Sequence, residues 1–294
     1  MKSKNICMFI VSSTLMLCHA VNAQPICDKV GTQQLENINV AVKSAINNFN
    51  DKNTDLVYSF IDENRYIQHV PNGVDGGAGL IKFIDFMKTN MPTFNVKNIR
   101  SVAENDIVLT QSVDFLKGKP IEVSYDWYRV NDGKITEHWD VVSEYPKDIN
   151  TSIYTSGPKV NADVCLQKEK IRSIALEYFY TTWGQLDTKA IIKHVSDNFV
   201  QHNPYAITHG KSDKKALIDI VSELKTSGYN AHIEISKVIV MDDFAAIHAK
   251  WTDGKEVLSI TDMLRFDTDY KIVEHWDGQK AIPTSNSNKR DAVF

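Results

Sequence analysis

The sequence predicts an α+β protein built from two tandem cone-shaped domains, each with three helices packed on a curved antiparallel sheet. Three observations predict it. The heptad Lys134-Ile135-Thr136-Glu137-His138-Trp139-Asp140 returns as Lys271-Ile272-Val273-Glu274-His275-Trp276-Asp277. Upstream, Gln68-His69-Val70-Pro71 returns as Gln201-His202-Asn203-Pro204, with 69 and 73 residues separating the paired histidines. Each copy begins with helical periodicity and ends in β-rich runs, the order expected of an α+β domain.

In the first copy, Leu35, Ile38, Val42, Ala45, Ile46 and Phe49 recur at helical spacing, so a helix is expected over 33–49. Asn53-Thr54-Asp55 offers an N-cap for a short second helix through Ile61. The Gly-rich stretch 72–77 reads as a loop, and Leu80, Phe83, Ile84 and Met87 mark a third helix. Four strands follow at 96–102, 107–115, 121–130 and 135–143. The second copy repeats this order. Ile171 to Phe179 forms its first helix, Asp187 caps the next through His194, and Ser212 or Asp213 caps the third. Strands are expected at 231–240, 244–251, 256–266 and 271–280.

The 294 residues suit two domains, and 43% hydrophobic content suffices for two cores. A net charge of −4 without a long basic run gives no basis for nucleic-acid binding. Lys2 and Lys4, the apolar run 6–17 and Val21-Asn22-Ala23 read as a secretory signal peptide cut after Ala23. The expected organisation is 1–23 signal peptide, 24–148 first domain, 149–163 linker, 164–283 second domain and 284–294 loose tail. The mature protein would be periplasmic or secreted, with no membrane span. Of four cysteines, Cys27 and Cys165 remain after cleavage. Each precedes the first helix of its copy, and equivalent positions can meet at a pseudo-two-fold axis. A disulfide between them would stabilise the fold by about 4–5 kcal/mol in chain-entropy terms; the alternative is two unpaired thiols.

The last hairpin places polar residues. A three-residue loop ending in Gly133 would pair Val130 with Lys134 and Asp126 with His138. In the second copy, pairing Phe266 with Lys271 sets Asp262 across from His275. Alternation adds Asp140 and Asp277 to the same face and turns Trp139 and Trp276 to the other. Arg129–Glu137 and Arg265–Glu274 are expected ion pairs on that other face. The helices cover one face of each sheet and leave a cone-shaped cavity. An Asp–His–Asp surface there suits acid/base work, the carboxylate fixing the imidazole tautomer. A structural role for the same residues fits their recurrence equally.

The order helix-helix-Gln-His-Asn-Pro-helix-meander, ending in Asp262-x-x-Arg265 and Lys271 to Asp277, resembles the SnoaL-like polyketide cyclase family of the nuclear-transport-factor-two-like superfamily. The resemblance covers both copies. It implies a strand Asp as base, here Asp262 or Asp126, and a helper His fourteen residues earlier, here His248. The first copy has Gln111 or Ser112 in that region, so the second copy is the better candidate. The implied catalytic set is Asp262, His275, His248 and His202, with Asn203, Asp277, His69, Asp126, His138 and Asp140 contacting ligand. The resemblance also implies an internal pseudo-dimer joined by the sheets. Its chemistry would be cofactor-independent aldol or isomerase catalysis on a small apolar carbonyl compound. A non-catalytic ligand-binding protein and an interaction scaffold stay open. His202, His248, His275 and Asp262 lack a short-range metal-ligand spacing, so no metal is predicted. No phosphate loop or nucleophile elbow occurs.

Overall fold

A computed structural model describes residues 30–145, 151–160, 166–203 and 213–294. The expected signal peptide, Cys27, Cys165 and Pro204 lie outside the described residues. The first helix, α1 (Thr32–Ala45), runs on as a π-helical turn, Ile46–Asp51. The Asn53 side chain caps a 3₁₀ turn, Thr54–Leu56, that leads into α2 (Val57–Phe60). Then come β1 (Ile67–Gln68), α3 (Gly76–Asn90), β2 (Asn95–Glu104), β3 (Ile107–Leu116), β4 (Lys119–Asn131) and β5 (Lys134–Glu144). After a 3₁₀ turn at Thr151–Thr155, the second half repeats the order. Its elements are α4 (Lys168–Phe179), α5 (Lys189–His194), β6 (Val195–Gln201), α6 (Lys214–Thr226), β7 (His232–Met241), β8 (Phe244–Thr252), β9 (Val257–Phe266) and β10 (Ile272–Ala281). Asp213, one of the two expected caps of α6, accepts from the Ala216 amide at 2.7 Å. Among the described residues, no helix is long and apolar enough to cross a membrane.

Two five-stranded sheets result, ordered β1-β5-β4-β3-β2 and β6-β10-β9-β8-β7. The first strand of each lies parallel to the last, and the other pairings are antiparallel. The hairpin register differs from expectation by two residues in both halves. Asp132 and Gly133 have φ of 51° and 72°, a two-residue turn of the type that needs positive φ at both positions. Asn131 therefore pairs with Lys134, a bulge absorbs Thr136, and Asp126 ends opposite Asp140. Asp262 likewise pairs with Asp277, after a bulge at Val273. The expected Asp–His contacts survive as diagonal neighbours on one face, within the reach of long side chains.

The helices cover one face of each sheet, and the other faces pack on each other. Strand β5 meets β10, and β2 meets β7. One apolar cluster joins Trp127, Trp139 and Val141 to Met241, Phe244, Met263 and Trp276. Polar bonds cross this seam at chosen points. Trp127 Nε1 donates to Thr261 Oγ1 at 2.9 Å, and Tyr125 OH donates to the Asp277 carbonyl at 3.1 Å. Gly278 permits the second approach, since a Cβ there would lie 2.7 Å from the Tyr125 ring. The expected ion pairs Arg129–Glu137 and Arg265–Glu274 form.

The segment read as a linker and the tail read as loose both make defined contacts. Of the linker, residues 151–160 are described. Arg100 lies over the Trp276 ring at 4.1 Å and donates to the carbonyls of Thr155 and Ser156. The tail 284–294 also docks. Val293 is fully buried, and its carbonyl accepts from Ser236 Oγ and Lys237 Nζ, each at 2.8 Å. Polar composition suggested solvent; the unpaired backbone and amide groups instead found partners on the protein.

Because Trp127 and Thr261 share a buried bond across the seam, Trp127→Phe should cost about 1–2 kcal/mol through the hydroxyl left unpaired. Urea denaturation measures it. In a double-mutant cycle, Thr261→Val should add little to Trp127→Phe; full additivity would deny the bond.

Candidate functional site

A cavity of about 640 Å³ opens between the helices and sheet of the N-terminal half. Its upper wall is apolar, with Ile61, Leu80, Phe83, Met87 and Phe94. Its floor is the helix-facing side of β3, β4 and β5. Alternation brings Asp114, Glu122, Ser124, Asp126, His138 and Asp140 onto that floor.

His138 anchors the floor. Its Nε2 lies 3.0 Å from Asp126 Oδ1 and its Nδ1 lies 3.1 Å from Gln68 Oε1, while the Tyr128 ring stacks on it at 4.9 Å. The Gln68 amide orientation is assigned by its other bonds. Its Nε2 donates to Tyr66 OH and its Oε1 accepts from the Val70 amide. Gln68 Oε1 can only accept, so His138 Nδ1 carries a hydrogen. Nε2 then faces Asp126 either as a lone pair against a carboxylic acid or as an N–H against a carboxylate. In both forms one proton lies between Nε2 and Oδ1. Asp140 receives Lys280 Nζ at 3.2 Å, a cation from the other half.

Asp114 differs from its neighbours. Burial, with the charges of Asp126 and Glu122, pushes its carboxyl up to about 8, although Ser124 Oγ donates to it at 3.0 Å. Burial also raises Glu122. Asp114 is thus a neutral acid at pH 7, with a proton to give.

In the C-terminal half the corresponding residues also meet. His275 Nε2 lies 2.6 Å from Asp262 Oδ1, and Asn203 Nδ2 donates to Asp277 Oδ2. Burial works against the His275 imidazolium, but the bond and charge of Asp262, with the charge of Asp277, raise its pKa overall. Burial pushes Asp277 up to about 6, opposed by His275 and Asn203 and aided by Asp262. Ligand atoms of Asp262, His275 and Asp277 lie within 4.8 Å of one another, a nitrogen-and-oxygen set of the kind that holds a divalent cation.

Three expected site histidines lie elsewhere, on the seam side of the sheets. His69 stacks on Trp139 at 4.3 Å and bonds Glu137 Oε2 at 2.9 Å. His202 stacks on Trp276 at 4.6 Å, donates to the Ile153 carbonyl at 2.7 Å and approaches Glu274 Oε1 at 3.4 Å. His248 stacks on Trp127 at 5.4 Å and bonds Ser259 Oγ at 2.9 Å. The reason is alternation. β1 runs parallel to β5 with Gln68 beside His138, so Gln68 turns to the cavity and His69 to the seam. Ile247, not His248, pairs with Asp262. Sequence reasoning missed Gln68, Tyr66, Tyr128 and Asp114. The repeated Gln-His pair carried the signal for Gln68, but the histidine drew the reading. The described cavity also lies in the half given the weaker prospect from sequence.

The Asp114 shift sets a pH test. Its folded pKa is raised, so the native state holds a proton that the unfolded chain releases near pH 4. Stability from this group is full at low pH and is lost as pH rises from about 4 through about 8. Asp114→Asn should therefore gain in melting temperature over wild type as pH climbs through that window, then hold a constant lead. Thermal melts from pH 5 to 9 check this; a constant offset across the window would refute it.

No curated protein matched the chain. Among solved structures, an LEH-like epoxide hydrolase of M. tuberculosis is similar at 22% identity, over 38% of this chain and 85% of that one, with TM-score 0.33. A protein of Bacillus cereus assigned as a polyketide cyclase is similar at 21% identity, over 39% and 79%, with TM-score 0.33. A SnoaL-like protein of Burkholderia thailandensis is similar at 18% identity, over 39% and 97%, with TM-score 0.34. Residues 176–275 match a SnoaL-like domain, which covers most of the C-terminal half described above.

Proposed function

We propose that the protein performs cofactor-independent acid/base chemistry on a small, largely apolar carbonyl compound, in the cavity of the N-terminal half. The observation that carries this reading is a pair of carboxyls in one cavity, held in different states. Burial keeps Asp114 protonated, while Asp126 shares a proton with a histidine of fixed tautomer. A carboxyl kept neutral by burial suits the acid role, and one bonded to an imidazole suits the base role. With the pair in its imidazolium–carboxylate form, Asp126 removes a proton from the carbon beside the substrate carbonyl. The electron pair moves to oxygen, and the Asp114 O–H hydrogen-bonds the enolate. Return of the proton to another carbon completes an isomerisation; attack of the enolate carbon on a second carbonyl completes an aldol closure. The apolar upper wall holds the substrate body and excludes water.

The reading takes the two halves as tandem SnoaL-like domains forming an internal pseudo-dimer. It is supported by the shared element order, the shared strand order and the bulge at the same point of each last hairpin. His138, Asp140, Asp262 and His275 act as site residues in it; His69, His202 and His248 support the seam.

A library of small ketones and enones, screened by native mass spectrometry and by solvent deuterium uptake, tests it. Asp126→Asn should lower deuterium exchange into a bound ketone by about 10²–10⁴-fold, the usual contribution of a positioned base, while binding persists. Leu80→Trp, which fills the cavity, should abolish both. Binding with no exchange in wild type would make the protein a carrier, and no binding by any compound would remove the cavity reading.

Export belongs to the same reading, supported by the charged start, apolar run and Ala23 cleavage pattern. Intact mass of protein taken from its own host without reductant should fit a chain beginning at Gln24. It should be two hydrogens light, for a Cys27–Cys165 bridge. A mass retaining residues 1–23 would reject export, and the full reduced mass would reject the bridge.

A further inference from the structure

The C-terminal tail reaches beyond its own half and passes along the wall of the N-terminal cavity before returning to β7. Ser287 N donates to Asn72 Oδ1 at 2.9 Å. Asn288 Nδ2 reaches the carbonyls of Val70 at 2.8 Å, Gln68 at 3.2 Å and Gly73 at 3.3 Å. Arg290 grips Asp75 with both nitrogens, Nη1 to Oδ1 at 2.8 Å and Nη2 to Oδ2 at 2.7 Å. Its Nη1 also donates to the Gln68 carbonyl at 2.9 Å. Asp75 in turn accepts the Gln68 amide at 2.9 Å. The backbone of Gln68 is thus held at both its N–H and its C=O.

The segment so held is part of the cavity itself. Gln68, Val70, Asn72, Gly73 and Val74 line its wall. The strand that carries Gln68 has only two residues, Ile67 and Gln68, paired to β5. So short a strand fixes little by itself. The bidentate guanidinium–carboxylate pair is the geometry that adds orientation as well as attraction. It is anchored in turn, because Val293 is fully buried and its carbonyl is bound by Lys237 and Ser236.

We infer that Asn288 and Arg290 are positioning residues of the N-terminal site: they set the 68–75 segment so that Gln68 Oε1 holds the Nδ1–H of His138. The inference rests on the proposed role of the His138–Asp126 pair. It makes the far end of the chain a working part of a pocket more than 200 residues earlier in sequence, as the Arg290–Gln68 separation of 222 shows. Neither half then builds this site alone.

Nitrogen-detected NMR of the imidazoles in the full-length protein tests it without a substrate. His138→Gln assigns the signal. Wild type should show a protected Nδ1–H at His138. Arg290→Ala and Asn288→Ala should each speed its exchange with water by about tenfold, the factor for a hydrogen bond of ordinary net strength. Arg290→Lys, which keeps one charged donor near Asp75, should recover part of the protection. Ketone-exchange rates should fall in the same order, with the thermal unfolding of the C-terminal half unchanged. Protection that stays at the wild-type level in both alanine variants would overturn this inference and leave the acid/base reading standing. A wild-type His138 with no Nδ1 proton would overturn both. A loss of melting temperature with His138 protection intact would reduce the tail to a structural clamp, against the inference.

Discussion

Everything in this molecule hangs on the two-residue period of one strand and its repeat. In Glu137-His138-Trp139-Asp140, His138 and Asp140 face the cavity, while Glu137 and Trp139 face the seam. The same split holds for Glu274-His275-Trp276-Asp277. One strand thus builds a polar floor and a dry interface at once. A slip of one residue would break the Glu–Arg pairs and His–Trp stacks of the seam and point indoles at the cavity, so register here is under tight control. The bulges at Thr136 and Val273 sit directly before the tetrad in both halves and fix that register.

The seam explains why the tetrad keeps its glutamate. Glu137 accepts from Arg129 at 2.5 Å and binds His69, and Glu274 pairs with Arg265 and approaches His202. Each carboxylate thus pairs a half-buried arginine beside the stacked His–Trp pair. The histidines of the Gln-His motif are therefore held by stacking and carboxylate bonding, and their recurrence in both halves follows from the interface. Gln68 is the partner of the cavity histidine in the first half; Gln201 keeps the same register beside His275, but its Oε1 accepts from the Asn203 amide instead.

Much of this was legible in the sequence. The helices and four of the five strands of each half, the Asp–His partners Asp126–His138 and Asp262–His275, the outward Trp139 and Trp276 and the Arg–Glu pairs follow from periodicity and turn pairing; the parallel strands β1 and β6 did not. The hairpin register did not, because Asn131-Asp132-Gly133 is compatible with a two- or three-residue loop and the bulge at Thr136 leaves no compositional mark. The side chosen by His69, His202 and His248 depends on which strand each one neighbours, a long-range fact. Asp114 reads as an ordinary strand residue; its neutral state arises from burial under the helices, with Glu122 and Asp126 of β4 nearby. The docking of the tail depends on carbonyls of the 68–73 segment, which no local pattern displays.

The two halves share a scaffold and diverge in charge. In the N-terminal half, Asp140 receives Lys280, so two aspartates face one histidine and one ammonium. In the C-terminal half, the same position, Asp277, receives the neutral amide of Asn203. Burial and the nearby Asp262 charge push the Asp277 carboxyl up to about 6, and His275 and the Asn203 amide offset this only in part. Lys280 is itself a β10 residue, so the second half supplies the cation that balances the first half's floor. Contacts of this kind, Lys280 under the cavity and Arg290 at its wall, cross from the C-terminal half to the N-terminal one. One half holds the described cavity, and the other brings charge and hydrogen bonds to it.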